Sequence, residues 1–143
     1  MIDSIIAGSD TFQILEKALN ASAMQHKMIS NNIANVDTPG YKGSEVVFQS
    51  KLQEALNNMD KSYLPLTITN PKHISIAPEM TLKDVEPTVV TRTETTSRND
   101  GNNVDIDTEM ARLAENTTYY ASLAQLMTLK LSNLKSVILE GRR

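Results

Sequence analysis

Two stretches of this chain carry apolar side chains at alternating steps of three and four residues, and they stand near its two ends. In 105–139 the stripe runs Ile106, Met110, Leu113, Thr117, Tyr120, Ala124, Met127, Leu131, Leu134 and Ile138. That alternation holds a narrow seam on one side of a helix for about nine turns. In 10–35 it runs Phe12, Leu15, Leu19, Ser22, Ile29, Ile33 and Val36, with His26 in the one gap. Ile14, Ala18, Ala21 and Met28 widen this second stripe. The pattern predicts a mainly α chain. Long N- and C-terminal heptad helices pair as an antiparallel coiled coil, with a small irregular or β insert between them. Heptad spacing does not say whether the pairing lies within one chain or between chains.

The boundaries follow from local chemistry. Ser9 or Asp10 can cap the first helix, and Asp105 or Asp107 the last. Pro39 disfavours a helical Thr38, and Gly40 permits a left-handed turn, so the first helix stops there. Gly141, followed by Arg142 and Arg143, suits the end of the last helix. Three parts result: 1–43, 44–104 and 105–143. In the middle part Phe48, Leu52 and Leu56 are spaced for a short helix over about 46–58. The segments 66–69 (LTIT), 73–77 (HISIA) and 88–96 (TVVTRTETT) alternate like strands. Pro65, Pro71, Pro78 and Pro87 break them, so the predicted sheet is small. Residues 97–103 (SRNDGNN) read as a turn.

Composition narrows the function. Only 4% of the 143 residues are aromatic and none is Trp, which favours narrow helix seams over a thick core. A net charge of −3 opposes a role in coating phosphate backbones. The chain has no cysteine, which excludes disulfides, thiolate catalysis and Cys-ligated zinc. No apolar run reaches the roughly 20 residues of a membrane span. The opening MIDSIIAGSD lacks the basic and apolar regions of a cleavable signal peptide. His26 and His73 lie in no metal-binding pattern, and no phosphate loop or nucleophile elbow occurs. A calcium loop from Asp100 fails because its twelfth residue is Ala111. No catalytic, metal-binding or cofactor-binding residue is nominated. The expected role is structural, with no nucleic-acid or small-molecule partner.

One stretch is more specific. Ser30-Asn31-Asn32-Ile33-Ala34-Asn35-Val36-Asp37-Thr38-Pro39-Gly40-Tyr41-Lys42 resembles the N-terminal signature of bacterial flagellar axial proteins of the rod and hook class. That signature reads two polar residues, N-I-A-N, two variable residues, then T-P-G-Y-K. The chain is short, as the proximal-rod members are. Thr69 to Ile74, Asp100 to Asp105 with Glu109 and Met110, Asn116, and the closing Leu139 to Arg142 are similar to theirs. The resemblance implies a non-catalytic subunit of the basal-body rod, polymerising into a torque-transmitting tube. It implies a periplasmic rod, reached through the flagellar type III export channel without a cleaved signal. The implied partners are copies of the chain, other rod subunits, and a membrane-ring or export-gate adaptor. Another rod subunit of the class, or a soluble coiled-coil adaptor, is the alternative.

Two residue sets are expected to matter. The first is the signature turn, Asn31, Asn32, Ile33, Ala34, Asn35, Thr38, Pro39, Gly40 and Tyr41. Asn31, Asn32 and Asn35 can satisfy orphan carbonyls or a neighbouring backbone where the helix stops, and Tyr41 offers an amphipathic anchor. The second is the assembly seam: Leu15, Leu19, Ile29, Ile33, Met110, Leu113, Tyr120, Met127, Leu131, Leu134 and Ile138.

Overall fold

The computed structural model describes residues 10–59, 82–93 and 98–140. In chain order they form α1 (Asp10–Ala34), β1 (Ser44–Val47), α2 (Gln49–Met59), β2 (Thr88–Thr91) and α3 (Ile106–Glu140). The chain is mainly helical, with a small two-stranded sheet between the long terminal helices. The segments 66–69 and 73–77, His73, and the caps suggested at Ser9 and Gly141 lie outside the described residues.

The two long helices pack on one another, and their contacts run antiparallel. Asn32 meets Glu109, and Ser22 meets Asn116. The Ser22 and Asn116 pair is reciprocal. Ser22 Oγ donates to Asn116 Oδ1 at 2.8 Å, and Asn116 Nδ2 donates to Ser22 O at 3.1 Å. A polar pair at a helix crossing fixes the offset between helices as well as their contact.

The core sits where α1 meets the insert. Leu15, Ala18 and Ala21 of α1 are buried with Phe48, Ala55, Leu82, Val85 and Leu123. Leu82 and Val85 belong to the approach to β2, and Lys17 holds that approach. Its Nζ donates to Lys83 O at 2.7 Å and Val85 O at 2.8 Å. Small residues on α1 let the insert come close to the helix axis, so a core with one aromatic ring still packs.

The insert departs from the expected short helix over 46–58. Residues 44–47 are extended and pair antiparallel with 88–91, Ser44 opposite Thr91 and Val47 opposite Thr88. The helix begins only at Gln49, its first turn closed by Leu52 N donating to Phe48 O at 2.9 Å. Val46 and Val47 are β-branched and suit a strand. The outward-facing Val46 N is taken by Gln25 Oε1 of α1 at 2.8 Å, which no local pattern could announce. In 88–96 the strand spans only Thr88–Thr91, and 94–96 lie outside the described residues.

At the start of α3, Asp105 is the cap. Its Oδ1 accepts from Asp107 N at 3.2 Å, and its Oδ2 accepts from Thr108 Oγ1 at 2.7 Å. These hydrogen bonds, Thr108's first, hold its carboxyl below the ordinary aspartate range.

Candidate functional site

The signature turn and the loop before α3 are knitted into one junction. Thr38-Pro39-Gly40-Tyr41 closes as a β-turn, with Tyr41 N donating to Thr38 O at 3.2 Å. Gly40 has φ +72°. Pro at the second position and a left-handed Gly at the third make a type II turn. Gly101 is also left-handed, at φ +77°, and Gly40 N donates to Asp100 O at 2.9 Å.

Asn102 is the centre of this junction. It is fully buried. Its Nδ2 lies 3.0 Å from Asn35 O, 2.9 Å from Val36 O and 2.9 Å from Thr38 O. All three carbonyls belong to the turn that follows α1, where the chain has left the helix. Its Oδ1 accepts from Val104 N at 2.8 Å, which turns the chain toward α3. One amide side chain thus ties the turn after the first helix to the approach to the last.

Asn32 does a parallel task one turn earlier. It is buried, and both ends of its amide are used. Oδ1 accepts from Ser44 N at 2.9 Å and Tyr41 OH at 3.3 Å. Nδ2 donates to Ser44 O at 2.9 Å and to Glu109 Oε2 at 3.0 Å. Asn32 therefore pairs with Ser44 as a neighbouring strand would. Asn103 bridges the sheet end similarly, accepting from Gly43 N and donating to Arg92 O.

Glu109 is the buried charge. Arg92 Nη2 donates to its Oε1 at 2.7 Å, and Arg112 Nη1 lies 3.3 Å from the same oxygen. The Arg92 and Glu109 side chains are 13% and 1% exposed. Arg92 Nε is buried without a partner. The pair ties β2's end to α3, and Asn32 ties both to α1. Gly43 lies against this cluster. A Cβ there would stand 2.5 Å from Arg92 Nη2 and 3.1 Å from Val104 Cγ2, so a side chain would collide with the ion pair.

Of the signature residues, Asn32 is buried, Ile33, Asn35 and Tyr41 are half-buried, and Asn31, Ala34, Thr38, Pro39 and Gly40 are exposed. Asn35 caps backward, its Nδ2 donating to Asn31 O at 2.8 Å. Of the helix-end asparagines, Asn35 thus covers a carbonyl of α1's last turn and Asn32 satisfies the backbone of Ser44, while Asn102, from the other end of the chain, serves the turn that follows. Arg92 was not singled out by sequence. From sequence, Asn102 reads as part of the 97–103 turn and Glu109 as a charge complementing the dipole of the last helix.

The expected seam divides. Leu15 and Ile29 are buried; Leu19, Ile33, Leu113, Met127 and Leu134 are half-buried. Met110, Tyr120, Leu131 and Ile138 keep 45–55% of their surface exposed. The inward line of α1 instead passes through Leu15, Ala18, Ser22, Gln25, Ile29 and Asn32, and His26 faces outward. On α3 it passes through Glu109, Asn116, Leu123 and Met127. Both helices are rotated so that polar residues turn inward, and an apolar flank of α3 stays open.

A helical module clasped by buried amides, with such a flank uncovered, is built to be part of something larger. The family described as flagella basal body rod protein matches residues 12–42, which span α1 and the signature turn. The flagellar basal body rod protein FlgB of Bacillus subtilis (strain 168) is 37% identical over 134 residues, 94% of this chain and 97% of that protein. The FlgB of Borreliella burgdorferi is 40% identical over 102 residues, 71% of this chain and 76% of that protein. The FlgB of Escherichia coli (strain K12) is 28% identical over 143 residues, 99% of each. The chain belongs to the FlgB family of flagellar basal body rod proteins, and its role is that of a structural rod subunit.

Proposed function

We propose that the chain polymerises with copies of itself and other rod subunits into the proximal part of the rod, and that the tube transmits torque. The observation that carries this is the open apolar flank of α3, where Met110, Tyr120, Leu131 and Ile138 are all exposed. A helix apolar on more than its inward face needs a second partner. Copies related head to tail would cover the flank without closing on themselves, and so extend into a helical tube. In that tube the terminal helices form coiled-coil seams, and the signature turn and the 44–104 insert set the angle at which neighbours meet. The periplasmic location, the export through the flagellar type III channel without signal cleavage, and the adaptor at the rod base belong to the same reading. It rests for them on membership of the family.

The test is Leu131→Asp. At 45% exposure the aspartate costs the monomer little, so its helix content stays at the parent's level by circular dichroism. Polymerisation, followed by sedimentation and by rods in isolated basal bodies, is lost. Normal incorporation would overturn the role of this flank. A deletion strain that keeps its rods would overturn the rod reading altogether.

A further inference from the structure

The far end of α3 has no counterpart in the described part of α1. Ser22 faces Asn116, so at equal rise Asp10, the first residue of α1, comes opposite about Thr128. From Leu129 onward, roughly three more turns of α3 follow. They carry Leu129, Leu131, Val137, Ile138 and Leu139, all 45–69% exposed. Residues 129–139 also hold Lys130 and Lys135 and no acidic residue. Neither lysine has an ion-pair partner among the described residues.

Elsewhere on the molecule, α1, β1 with the start of α2, and α3 enclose a groove of about 1000 Å³. Ala18, Ala21 and Ser22 line it from α1, and Thr118 and Ser122 from α3. Ala18, Ala21, Ser22 and Phe48 form a floor that is 3–5% exposed, and the small, exposed Thr118 and Ser122 on α3 allow another backbone to come close. A helix about 10 Å across fills this volume with about nine residues, so the groove holds most of the 129–139 segment. Charge agrees as well. Glu45 and Glu115 stand in the groove with Arg112. Glu45 lies 3.8 Å from Arg112, and Glu115 has no ion-pair partner among the described residues.

We infer that this groove receives the C-terminal end of α3 from a second copy of the chain. The inference deepens the polymerisation reading and rests on it. The apolar end of the helix lies over the small-residue face, and Lys135 and Lys130 approach Glu115 and Glu45. A chain cannot satisfy its own groove in this way. Thr118 and Val137 sit on one helix, about 29 Å apart at 1.5 Å per residue. The contact is therefore heterologous and leaves a groove and a helix end free at opposite ends of every pair.

The absence of cysteine makes the test direct. Thr118→Cys and Val137→Cys variants of the full chain are mixed under mild oxidation. A disulfide between residues 118 and 137 is expected in the mixture, in excess of the 118–118 and 137–137 products. Lys135→Glu in the second variant lowers its yield about fivefold, and Glu115→Lys in the first restores it. Polymer that sediments normally without any 118–137 disulfide overturns the groove contact and leaves the rod reading standing. A chain that never polymerises, with Leu131→Asp indistinguishable from the parent, overturns both.

Discussion

Three buried side chains, Asn32, Asn102 and Glu109, join the two ends of the chain, and each joins them by a different chemistry. Asn102 is an amide facing three carbonyls. Asn102→Ala removes a shared donor from carbonyls that keep Thr38 N, Arg98 Nη1 and Tyr41 N, but it leaves buried Val104 N without its acceptor, and is expected to cost about 1–3 kcal/mol. Asn102→Asp costs more, because it sets a carboxylate against the same oxygens. Denaturant melts of the two variants check that order. Glu109 neutralises Arg92 out of water. Glu109→Gln keeps the shape and the bond to Asn32 but leaves a buried guanidinium unpaired, at about 3–5 kcal/mol. Asp105 is the exposed member of this region, and its effect is on pH. Its folded carboxyl titrates below the ordinary aspartate value. Its contribution is therefore complete above that ordinary value and is lost as pH falls through the lowered one. Helix content followed by circular dichroism down the acid range should fall less steeply through that window for Asp105→Asn than for the parent chain. The Asp105 cap shows in a local pattern; the roles of Asn102 and Glu109 do not. Asn102 reads as a turn residue and Glu109 as a charge in the first turn of a helix, because the carbonyls facing Asn102 lie 64 or more residues away and Glu109's partners Arg92 and Asn32 lie 17 and 77 residues away.

Among the elements, the long helices were the most legible. The last helix was expected over 105–139 and runs Ile106–Glu140; the first was expected over 10–35 and runs Asp10–Ala34. Periodicity, a capping aspartate and a Pro-Gly stop act within a few residues, so they can be read locally. Periodicity leaves open which side of each helix turns inward within the subunit. It aligned each helix on its apolar residues and put His26 on the seam. The structure turns Gln25 and Asn32 inward because β1 presents Val46 N, Ser44 N and Ser44 O to α1. An unmet backbone group at a buried strand edge outweighs one more apolar contact. The strand β1 escaped notice for the same reason, since four residues carry little period and its pairing partner is β2, far along the chain.

On the scale of the whole molecule, order is unevenly distributed. Buried amides and the ion pair cluster at one end of the helix pair, with the apolar core beside them. The last turns of α3 carry five exposed apolar side chains. Hydrogen exchange should follow this gradient. Amides around Val104 to Leu123 exchange most slowly, and those of 129–140 exchange fastest in the free subunit and become protected on polymerisation. Uniform protection along α3 in the free subunit would contradict it. The sequence was sufficient for the long helices, their approximate ends, the signature turn and the family. Each of these rests on residues close together along the chain. Tertiary structure alone decided how the helices are rotated, which charge is buried and which apolar flank stays open. Those outcomes depend on groups brought together from opposite ends of the chain, where satisfying a buried polar atom takes precedence over hiding every apolar one.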